Sequence, residues 1–500
     1  MTNLRCRTHS KGKRAIRLSI IGQKINVITG AENIKAIWQN KVLDSRPAAI
    51  MMLQSMLQGR DSNALRSWQE DDSGAGPKAH PLSKVASDSR IYHPTWKASH
   101  QFLTVKNSEA SAKHIQTKFQ HIMTTECGES GTTTIGDLRT FMQTHVSTAV
   151  LDLMCGKSFL ELNPGFVESF WEFDAQFPSF MMGFTKWTAP AALKARDDCV
   201  SGIEKWHAFA AENYDETYVN EDGFDPYWGS PLFRGRQDVW KNLEGMDANA
   251  KACEDFGIIW AMNTNTVPAI FWAVIHCFKD PELLALVRSE VAKCRNEDQE
   301  APPFDVRKLT ESPLLQSICS EILRLYVAAF IPRGSTHNDV YVVDNYKIAK
   351  GEFIAVDSYT AHRDKEVWNT GRVEGTYPLD SFWAERFIID AEKELDGPLR
   401  QPAGCPAGKS AAAEEGEKAC PRYSMDGLSG SLIAFGGGKH QCPGRYFARR
   451  EMMVCIAVLC SDYDFEFLSN DKVQVDFSFF GIGTLPSRGD VPVRIRRREP

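Results

Sequence analysis

The sequence has no CxxC pair and no cysteine–histidine spacing that fits a zinc finger, although it contains 13 cysteines in 500 residues. No apolar segment of signal-peptide or membrane-spanning length follows the basic residues at its N-terminus. A disulfide framework is therefore not expected in so large a chain. We expect a reducing compartment in which most cysteines serve as small core residues.

An excess of positive charge is also missing, because the net charge is −6. Nothing in this balance indicates nucleic-acid binding, and we expect no nucleic acid among the partners. Internal repeats are absent as well. Hydrophobic residues make up 43% of the chain and aromatic residues 10%, which is enough for a large buried core.

The periodicity along the chain predicts a mainly α protein with small β-sheets, an α+β architecture. A hairpin is expected around Gly22-Gln23, where two β-rich runs flank a glycine turn. Helical patterns dominate from about Ser108, and strands return near residue 339. We expect a basic segment at 1–15, a single domain at 16–500 and a loop insertion at 400–425.

The stretch Phe256–Phe278 is long and apolar enough to cross a bilayer, for which about 20 residues suffice. A polar block, Asn263 to Thr266, interrupts it. Pro268 has no N–H to donate to the carbonyl of Thr264, so a kink and a freed carbonyl are expected. Buried polar groups need partners, and this block is a candidate functional element.

A second candidate is "FGGGKHQCPGRYFARREMM", Phe435 to Met453. Its three glycines allow the backbone to pass close to a flat or bulky group. Cys442 follows, just before a predicted helix whose positive dipole end favours a thiolate over a thiol. These features are typical of a cysteine that binds a metal.

This segment resembles the haem-binding signature FxxGxRxCxG of the cytochrome P450 superfamily, with His440 at the arginine position. The resemblance implies a P450 fold, with haem b between the long central helix and the helix after the cysteine, and with Cys442 as axial thiolate ligand. It assigns the following residues to haem binding: Cys442, His440, Arg333, Phe435, Gly436, Gly438, Gly444, Ala261 and Trp96. Trp96, Lys97 and Lys106 are alternative donors to a haem propionate in the region 92–106.

Two further motifs carry the same resemblance. "EILR" matches the ExxR motif and places Glu321 and Arg324 on one helical face. "FWAERF" holds Arg386, which in the family completes a triad with these two residues, although Ala384 replaces the usual proline. The resemblance covers roughly residues 16 to 497.

The central helix departs from the family pattern. The resemblance aligns Ala261 with the haem-facing alanine, and Thr264 and Asn265 with the acid and the alcohol that relay protons. "NTxPAxFW" is similar to the subgroup of sterol 7α-hydroxylases and prostacyclin synthase, and a fungal-type member is expected. Because one of these enzymes activates oxygen and the other rearranges a peroxide, Asn265 is compatible with both chemistries.

We therefore expect a monooxygenase that hydroxylates or epoxidises a lipophilic sterol, terpenoid, fatty acid or secondary metabolite with O2 and electrons from an NADPH reductase. The alternatives are an isomerase or dehydratase that acts on a peroxide, and a haem-binding protein without turnover. Thr264 and Asn265 are the predicted catalytic residues. The predicted substrate pocket comprises Asn263, Ala328, Ala329, Phe330, Ile331, Ile482, Gly483 and Thr484.

The expected redox partner is an NADPH-cytochrome P450 reductase-type flavoprotein, and a monomer is expected. Family members sit on the cytoplasmic side of the endoplasmic reticulum. Because this chain begins just before the first strand, without the family's usual anchor and first helix, we expect a soluble or peripheral protein.

Overall fold

The computed structural model describes residues 16–498 except 21–22, 41–42, 57–62, 82, 129–130, 182–188, 242, 299–300, 336–340, 344–345, 350–351, 374 and 401–419. Helices make up most of the described chain, and the strands form small sheets, as predicted. The basic segment 1–15 and most of the expected insertion at 400–425 lie outside the described residues.

The helices of the first half surround one apolar core. They are α1 (Ala31–Gln39), α2 (Arg46–Met56), α3 (Asn63–Glu70), α4 (Tyr92–Phe102), α5 (Val105–Cys127), α6 (Leu138–Cys155), α7 (Lys157–Leu162), α8 (Phe166–Ala175), α9 (Phe177–Met181), α10 (Pro190–Asn213) and α11 (Pro231–Trp240).

The helices of the second half carry the predicted site. They are α12 (Ala248–Asn263), α13 (Thr266–Lys279), α14 (Pro281–Ala292), α15 (Val306–Glu311), α16 (Pro313–Tyr326), α17 (Ser358–Ala361) and α18 (Arg445–Asp462). Short 3₁₀ turns occur at Ser87–Ser89, Glu216–Tyr218, Gly438–His440 and Phe477–Phe479.

The strands are short and lie in several separate sheets. They are β1 (Ile16–Ile20), β2 (Gln23–Ile28), β3 (Leu43–Asp44), β4 (Thr132–Ile135), β5 (Val327–Ser335), β6 (Tyr341–Val343), β7 (Tyr346–Ile348), β8 (Phe353–Asp357), β9 (Ile388–Asp390), β10 (Leu395–Asp396), β11 (Arg422–Tyr423), β12 (Tyr463–Phe467), β13 (Gln474–Val475), β14 (Ile482–Thr484), β15 (Ser487–Arg488) and β16 (Val493–Arg497).

The largest sheet has the strand order β1-β2-β8-β5-β14, with β3 added beside β5. The predicted hairpin is confirmed, because β1 and β2 pair antiparallel with Ile20 opposite Gln23. At the other edge, β14 pairs antiparallel with β5, so that Ile482 lies opposite Ala329 and Gly483 opposite Ala328. Two segments predicted to line the substrate pocket are therefore neighbours, although about 150 residues separate them along the chain.

The other sheets are smaller. Their strand orders are β10-β9-β11, β12-β16-β4, β13-β15 and β6-β7. The first of these lies in the segment between α17 and the cysteine loop, and it packs near Arg386 and Phe387.

The long apolar stretch is divided into two helices, as expected from the position of Pro268. Asp247 caps the start of α12 by accepting from the N–H of Ala250 at 2.8 Å, and α12 ends at Asn263. A turn at Thr264 and Asn265 separates it from α13. The backbone N–H of Ala269 reaches the carbonyl of Asn265 at 3.3 Å, whereas Pro268 has no N–H for the carbonyl of Thr264.

Within the described residues, the segment Ala248–Lys279 is the one helical stretch long and apolar enough to cross a membrane. Inside the fold, 78% of its most apolar window is buried. The apolar side chains of α12 and α13 pack into the main core, which is the role expected of a central helix.

Candidate functional site

The cysteine loop is held tightly against α1. The N–H of Cys442 donates to the carbonyl of Phe435 at 2.9 Å, which closes the loop. Gly436 and Gly438 have φ of 66° and 65°, a left-handed conformation that favours glycine. A Cβ on Gly438 would overlap the carbonyl oxygen of Trp38. The glycine run is thus required by close packing of two backbones.

Cys442 stands at the start of α18, and its thiol is partly buried. Burial raises the pKa of Cys442, whereas the backbone N–H groups of Gly444 and Arg445 and the Arg445 guanidinium oppose that rise. The backbone N–H groups at the start of α18 therefore favour the thiolate, but desolvation outweighs them. A coordinated metal ion would reverse this balance, because a metal-bound thiol is deprotonated outright.

A cavity of about 340 Å³ lies beside this loop. Its wall is formed by α2, α4, α12 and the loop residues on both sides of Cys442, namely Gln441 and Pro443. Gly257 and Ile258 contribute from α12. One turn further along α12, Ala261 is exposed although the helix is otherwise largely buried. The open stripe of α12 therefore faces free space where the resemblance places the haem.

The cavity edge carries buried hydrogen-bond donors without partners. Among the described residues, Trp96 Nε1 and His440 Nε2 are buried nitrogens that make no hydrogen bond, although His440 Nε2 lies 3.6 Å from Asp44 Oδ2, and both side chains line the cavity. Arg333 is nearby, with 4% exposure, and its guanidinium donates to the carbonyl of Gly437 at 3.1 Å. Unsatisfied buried donors are costly and call for an acceptor. The donor set fits the carboxylates of a haem.

A network around Asp44 orients these donors. Tyr92 donates to Asp44 Oδ1 at 3.0 Å, and Ser45 Oγ lies 3.0 Å from both the Tyr92 hydroxyl and His440 Nδ1. Burial lowers the pKa of His440 to about 4 despite the nearby Asp44. Burial would raise the pKa of Asp44, but His440 and Lys439 hold it below its usual value. His440 is therefore neutral near pH 7.

The region 92–106 differs from the sequence-based expectation. Lys97 and Lys106 are exposed and do not line the cavity, because Lys97 projects from α4 about 100° away from Trp96. His100 was missed, although it lies four residues after Trp96. The two rings stack with centroids 3.7 Å apart, and both line the cavity. The signal was present as a Trp-x-x-x-His spacing in place of the family's Trp-x-x-x-Arg.

Two charged residues of the cavity wall had no sequence signal. Glu254 is 5% exposed and accepts from Trp68 Nε1 at 2.6 Å, and burial raises the pKa of Glu254 to about 7. Arg236 Nε donates to Asp255 at 2.6 Å. These residues come from different helices, so only the tertiary structure brings them to one wall.

The predicted triad is assembled in full burial. Glu321 accepts from Arg324 at 2.7 and 2.8 Å and from Arg386 Nε at 3.0 Å, and the three side chains are 0% exposed. Burial alone would raise the pKa of Glu321, but Arg324 and Arg386 hold it below its usual value. Arg324 also donates to the carbonyls of His362 and Leu379 at 2.9 Å.

A second, smaller cavity lies at the bend between α12 and α13. Its lining includes Thr264 and Asn265 together with Ile482, Gly483 and Thr484 of β14. Asn265 Oδ1 accepts from the backbone N–H of Thr484 at 2.9 Å. The carbonyl end of Asn265 therefore holds β14, and its amide N–H groups are the end that can meet a water.

Other predicted pocket residues line neither of these two cavities. Asn263 is 1% exposed and donates to the carbonyl of Ile259 at 2.9 Å, so it lies on the core side of α12, opposite Ala261. In β5, Ala328 is buried, whereas Phe330 is 39% exposed and contacts Phe480. Ala329 and Ile331 are partly buried.

Gly438→Ala is expected to destabilise the protein, because the new Cβ meets the Trp38 carbonyl oxygen and φ is left-handed. A loss of about 1–3 kcal/mol in the free energy of unfolding is expected from denaturant titration. Gly444→Ala is the matched control, since φ there is −75° and the nearest atom is Cys442 Sγ at 3.7 Å. Equal stability of the two variants would contradict this account of the loop.

Glu321→Gln is expected to leave two buried guanidinium groups without a counter-charge. Removal of one partner from a buried ion network costs about 3–5 kcal/mol, so we expect a large drop in the thermal midpoint. Glu385→Gln, which removes the surface pair with Lys393, should change the midpoint little. If the two variants melted alike, the triad would not be a stabilising element.

The cytochrome P450 family model matches residues 79–372 and 419–493. The chain is 38% identical over 370 residues to "Cytochrome P450 monooxygenase efuG" of Hormonema carpetanum, covering 73% of this chain and 64% of that protein. It is 35% identical over 423 residues to "Cytochrome P450 monooxygenase fsoE" of Humicola fuscoatra, covering 83% of this chain and 72% of that protein. The match thus spans slightly less than two thirds of the Hormonema protein.

A more distant relative is "25-hydroxycholesterol 7-alpha-hydroxylase" of Rattus norvegicus, 26% identical over 54% of this chain and 59% of that protein. The predicted likeness to fungal members and sterol 7α-hydroxylases is confirmed by these relatives. Among solved structures, the cytochrome P450DA heme domain superposes with a TM-score of 0.63 at 12% identity, covering 97% of this chain and 90% of that chain. A second, titled "Crystal structure of a Cytochrome P450 (CYP102L1)", gives 0.62 at 15% identity over 97% and 91%. These structures confirm the predicted fold.

Haem is the cofactor of this family, and the unpartnered donors, the open stripe of α12 and the cysteine loop fit it. The chain therefore belongs to the cytochrome P450 family.

Proposed function

We propose that the protein is a haem-thiolate monooxygenase that inserts one oxygen atom of O2 into a lipophilic small molecule. The observation that carries this proposal is the placement of Cys442 between two lining residues of a cavity whose edge holds unpartnered donors. The names of the fungal relatives, both monooxygenases, support the same reaction class.

Cys442 is the proposed axial ligand. The N–H groups of Gly444 and Arg445 point toward its sulfur, and they stabilise the thiolate that coordination requires. When bound, haem with such a ligand supplies the oxidative chemistry, because the thiolate donates electron density that favours O–O cleavage. The protein supplies orientation, proton control and exclusion of water.

The cofactor's carboxylates would be held by Trp96, His440 and Arg333. Trp96 and His440 are neutral donors, and burial lowers the pKa of Arg333 to about 10, so it keeps its charge at neutral pH. Arg333 would supply a positive charge for the carboxylates, and the uncharged Trp96 and His440 would add hydrogen bonds close to the buried Asp44. The exposed Ala261 of α12 would leave room for the cofactor.

A sterol-like or terpenoid-like molecule is the proposed substrate class. The relative from rat is named for 25-hydroxycholesterol, and a relative from Cricetulus griseus is named "Cholesterol 7-alpha-monooxygenase". The paired strands β5 and β14 carry Ala328, Ala329, Phe330, Ile331 and Ile482, which offer the apolar surface proposed for this substrate. This composition suits a large lipophilic ligand.

Electrons would come from an NADPH-dependent flavoprotein reductase. Lys439, Arg445 and Arg449 lie within seven residues of Cys442 in the sequence, and basic side chains around the cysteine loop would complement an acidic partner. Action as a monomer at the cytoplasmic side of the endoplasmic reticulum is proposed from the family.

Cys442→Ser is expected to abolish the red-shifted Soret band of the reduced, CO-bound protein, because a serine hydroxyl does not replace the thiolate. The exposed Cys420 provides the control, and Cys420→Ser should keep the wild-type spectrum. A red-shifted band that survives in the Cys442 variant would remove this residue from the site.

Product formation should depend on NADPH and reductase. With 25-hydroxycholesterol and cholesterol as probes, we expect a product that carries one oxygen atom from isotopically labelled dioxygen, measured by mass spectrometry. Turnover of a lipid peroxide without NADPH would instead identify an isomerase or dehydratase. If the haem could be reduced but no oxygen were consumed under any condition, the protein would be a haem-binding protein without turnover.

A further inference from the structure

The small cavity at the helix bend contains a buried acid that the motifs do not include. Asp174, near the end of α8, lines the cavity and is 7% exposed. Its Oδ1 accepts from Trp260 Nε1 at 2.9 Å. Among the described residues that line this cavity, Asp174 is the only ionisable one. Burial, opposed only by the Trp260 hydrogen bond, raises the pKa of Asp174 to about 7.

A buried carboxyl without a cationic partner is costly to the fold. An asparagine would keep the hydrogen bond from Trp260 without a group that ionises near neutral pH. Perturbed acids of this kind, placed in a cavity, are concentrated at functional sites. The position of Asp174 therefore needs a functional explanation.

The cavity has a volume of about 20 Å³, which is room for one water molecule. A buried water needs two to four polar partners, and the lining offers them in Asp174, Thr264, Asn265 and Thr484. The site is thus polar enough to keep a water and too small for a substrate ring.

Trp260 connects the acid to the bend. Its indole N–H holds Asp174, and its backbone carbonyl accepts from Thr264 Oγ1 at 3.0 Å. Thr264 follows Trp260 by four residues, and Asn265 follows the exposed Ala261 by four residues. Residues four apart share a helical face, so the cavity reaches from the Asp174 side to the open side of α12.

We propose that Asp174, through one water held beside Thr264, supplies the proton-donating group that the bend of the central helix lacks. Thr264 occupies the position at which the resemblance expects an acid, and α8 places a carboxyl in the same cavity. Asp174 acts through the water and is therefore a positioning and relay residue. The proposal deepens the proposed monooxygenase function and rests on it.

The proton balance is simple. The Asp174 O–H bond breaks and its proton passes to the water, which releases one of its own protons toward dioxygen that is being reduced with electrons from NADPH. Asp174 is left as a carboxylate and takes a proton from solvent water to return. No electrons pass through the residue, and no other co-reactant is required.

The test compares Asp174→Asn with wild type, with haem bound and a flavoprotein reductase present. Peroxide released per dioxygen consumed is measured in the absence of substrate. The amide keeps the Trp260 hydrogen bond but cannot donate the proton, so we expect the peroxide fraction at least to double. Glu172→Gln, an exposed acid two residues away on α8, is the matched control and should behave as wild type.

The pH profile separates a relay from a structural role. Trp260 from α12 donates to the carboxyl, and the other described residues that line the cavity, among them Trp171 from α8 and Gln143 from α6, carry no ionisable side chain. Wild type should release more peroxide as pH rises through about 7, because Asp174 then loses its proton. The peroxide released by Asp174→Asn should be high and should not change with pH. A wild-type profile in the variant would overturn the proposal.

A measurement without turnover checks the burial of the acid. A raised pKa means that the folded state holds its proton more tightly than the unfolded state, so the contribution of Asp174 to stability is lost as pH rises. The thermal midpoint of Asp174→Asn relative to wild type should therefore increase between about pH 5 and about pH 8. A midpoint difference that stays constant over this range would show that Asp174 does not hold the proton, and would overturn the proposal.

Different results would contradict the monooxygenase function and the Asp174 relay. If wild type consumes no dioxygen with any reductase, the monooxygenase function fails and the relay fails with it. If wild type consumes dioxygen and Asp174→Asn releases no more peroxide than wild type, only the relay fails.

Discussion

The buried ion network of Glu321, Arg324 and Arg386 is the constraint on which the cysteine side of the molecule depends. Three charges at 0% exposure are stable only when each is paired in good geometry. Because Glu321 and Arg324 belong to α16 and Arg386 lies 65 residues beyond Glu321, the network fixes a distant segment against that helix. Any displacement of that segment would leave an unpaired charge in the core.

Hydrogen bonds connect this ion network to the cysteine loop. Arg324 donates to the carbonyl of His362, and the imidazole of His362 accepts from the N–H of Ile433 at 3.1 Å. Burial lowers the pKa of His362 to about 3, so it remains a neutral acceptor. Ile433 precedes Phe435, whose carbonyl receives the N–H of Cys442. A short chain of hydrogen bonds thus links the triad to the sulfur position.

The opposite side of the site is organised by the bend of the central helix. Pro268 leaves the backbone carbonyl of Thr264 without its usual helical donor, and the side-chain carbonyl of Asn265 accepts from the backbone N–H of Thr484 in β14. Asn265 therefore connects β14 to the bend between α12 and α13 through a hydrogen bond. The side-chain oxygen of Asn265 is thus engaged with β14, and its amide N–H groups are the donors that can meet a water at the bend.

The sequence by itself determined the elements whose chemistry is local. A glycine run before a cysteine, an acid and an arginine three residues apart and a proline within an apolar helix each act over one or two turns, so their spacing is sufficient to predict them. Tertiary structure alone decided which distant side chains share a cavity. Asp174 and Glu254 carry no local signal, because their burial and pKa shifts arise from packing between helices, and the spacing of Trp96 and His100 does not by itself place their rings in a cavity. Likewise, Asn263 lies on the core side and Lys97 on the surface because helical rotation directs their side chains, and only the packed neighbours show where each side faces.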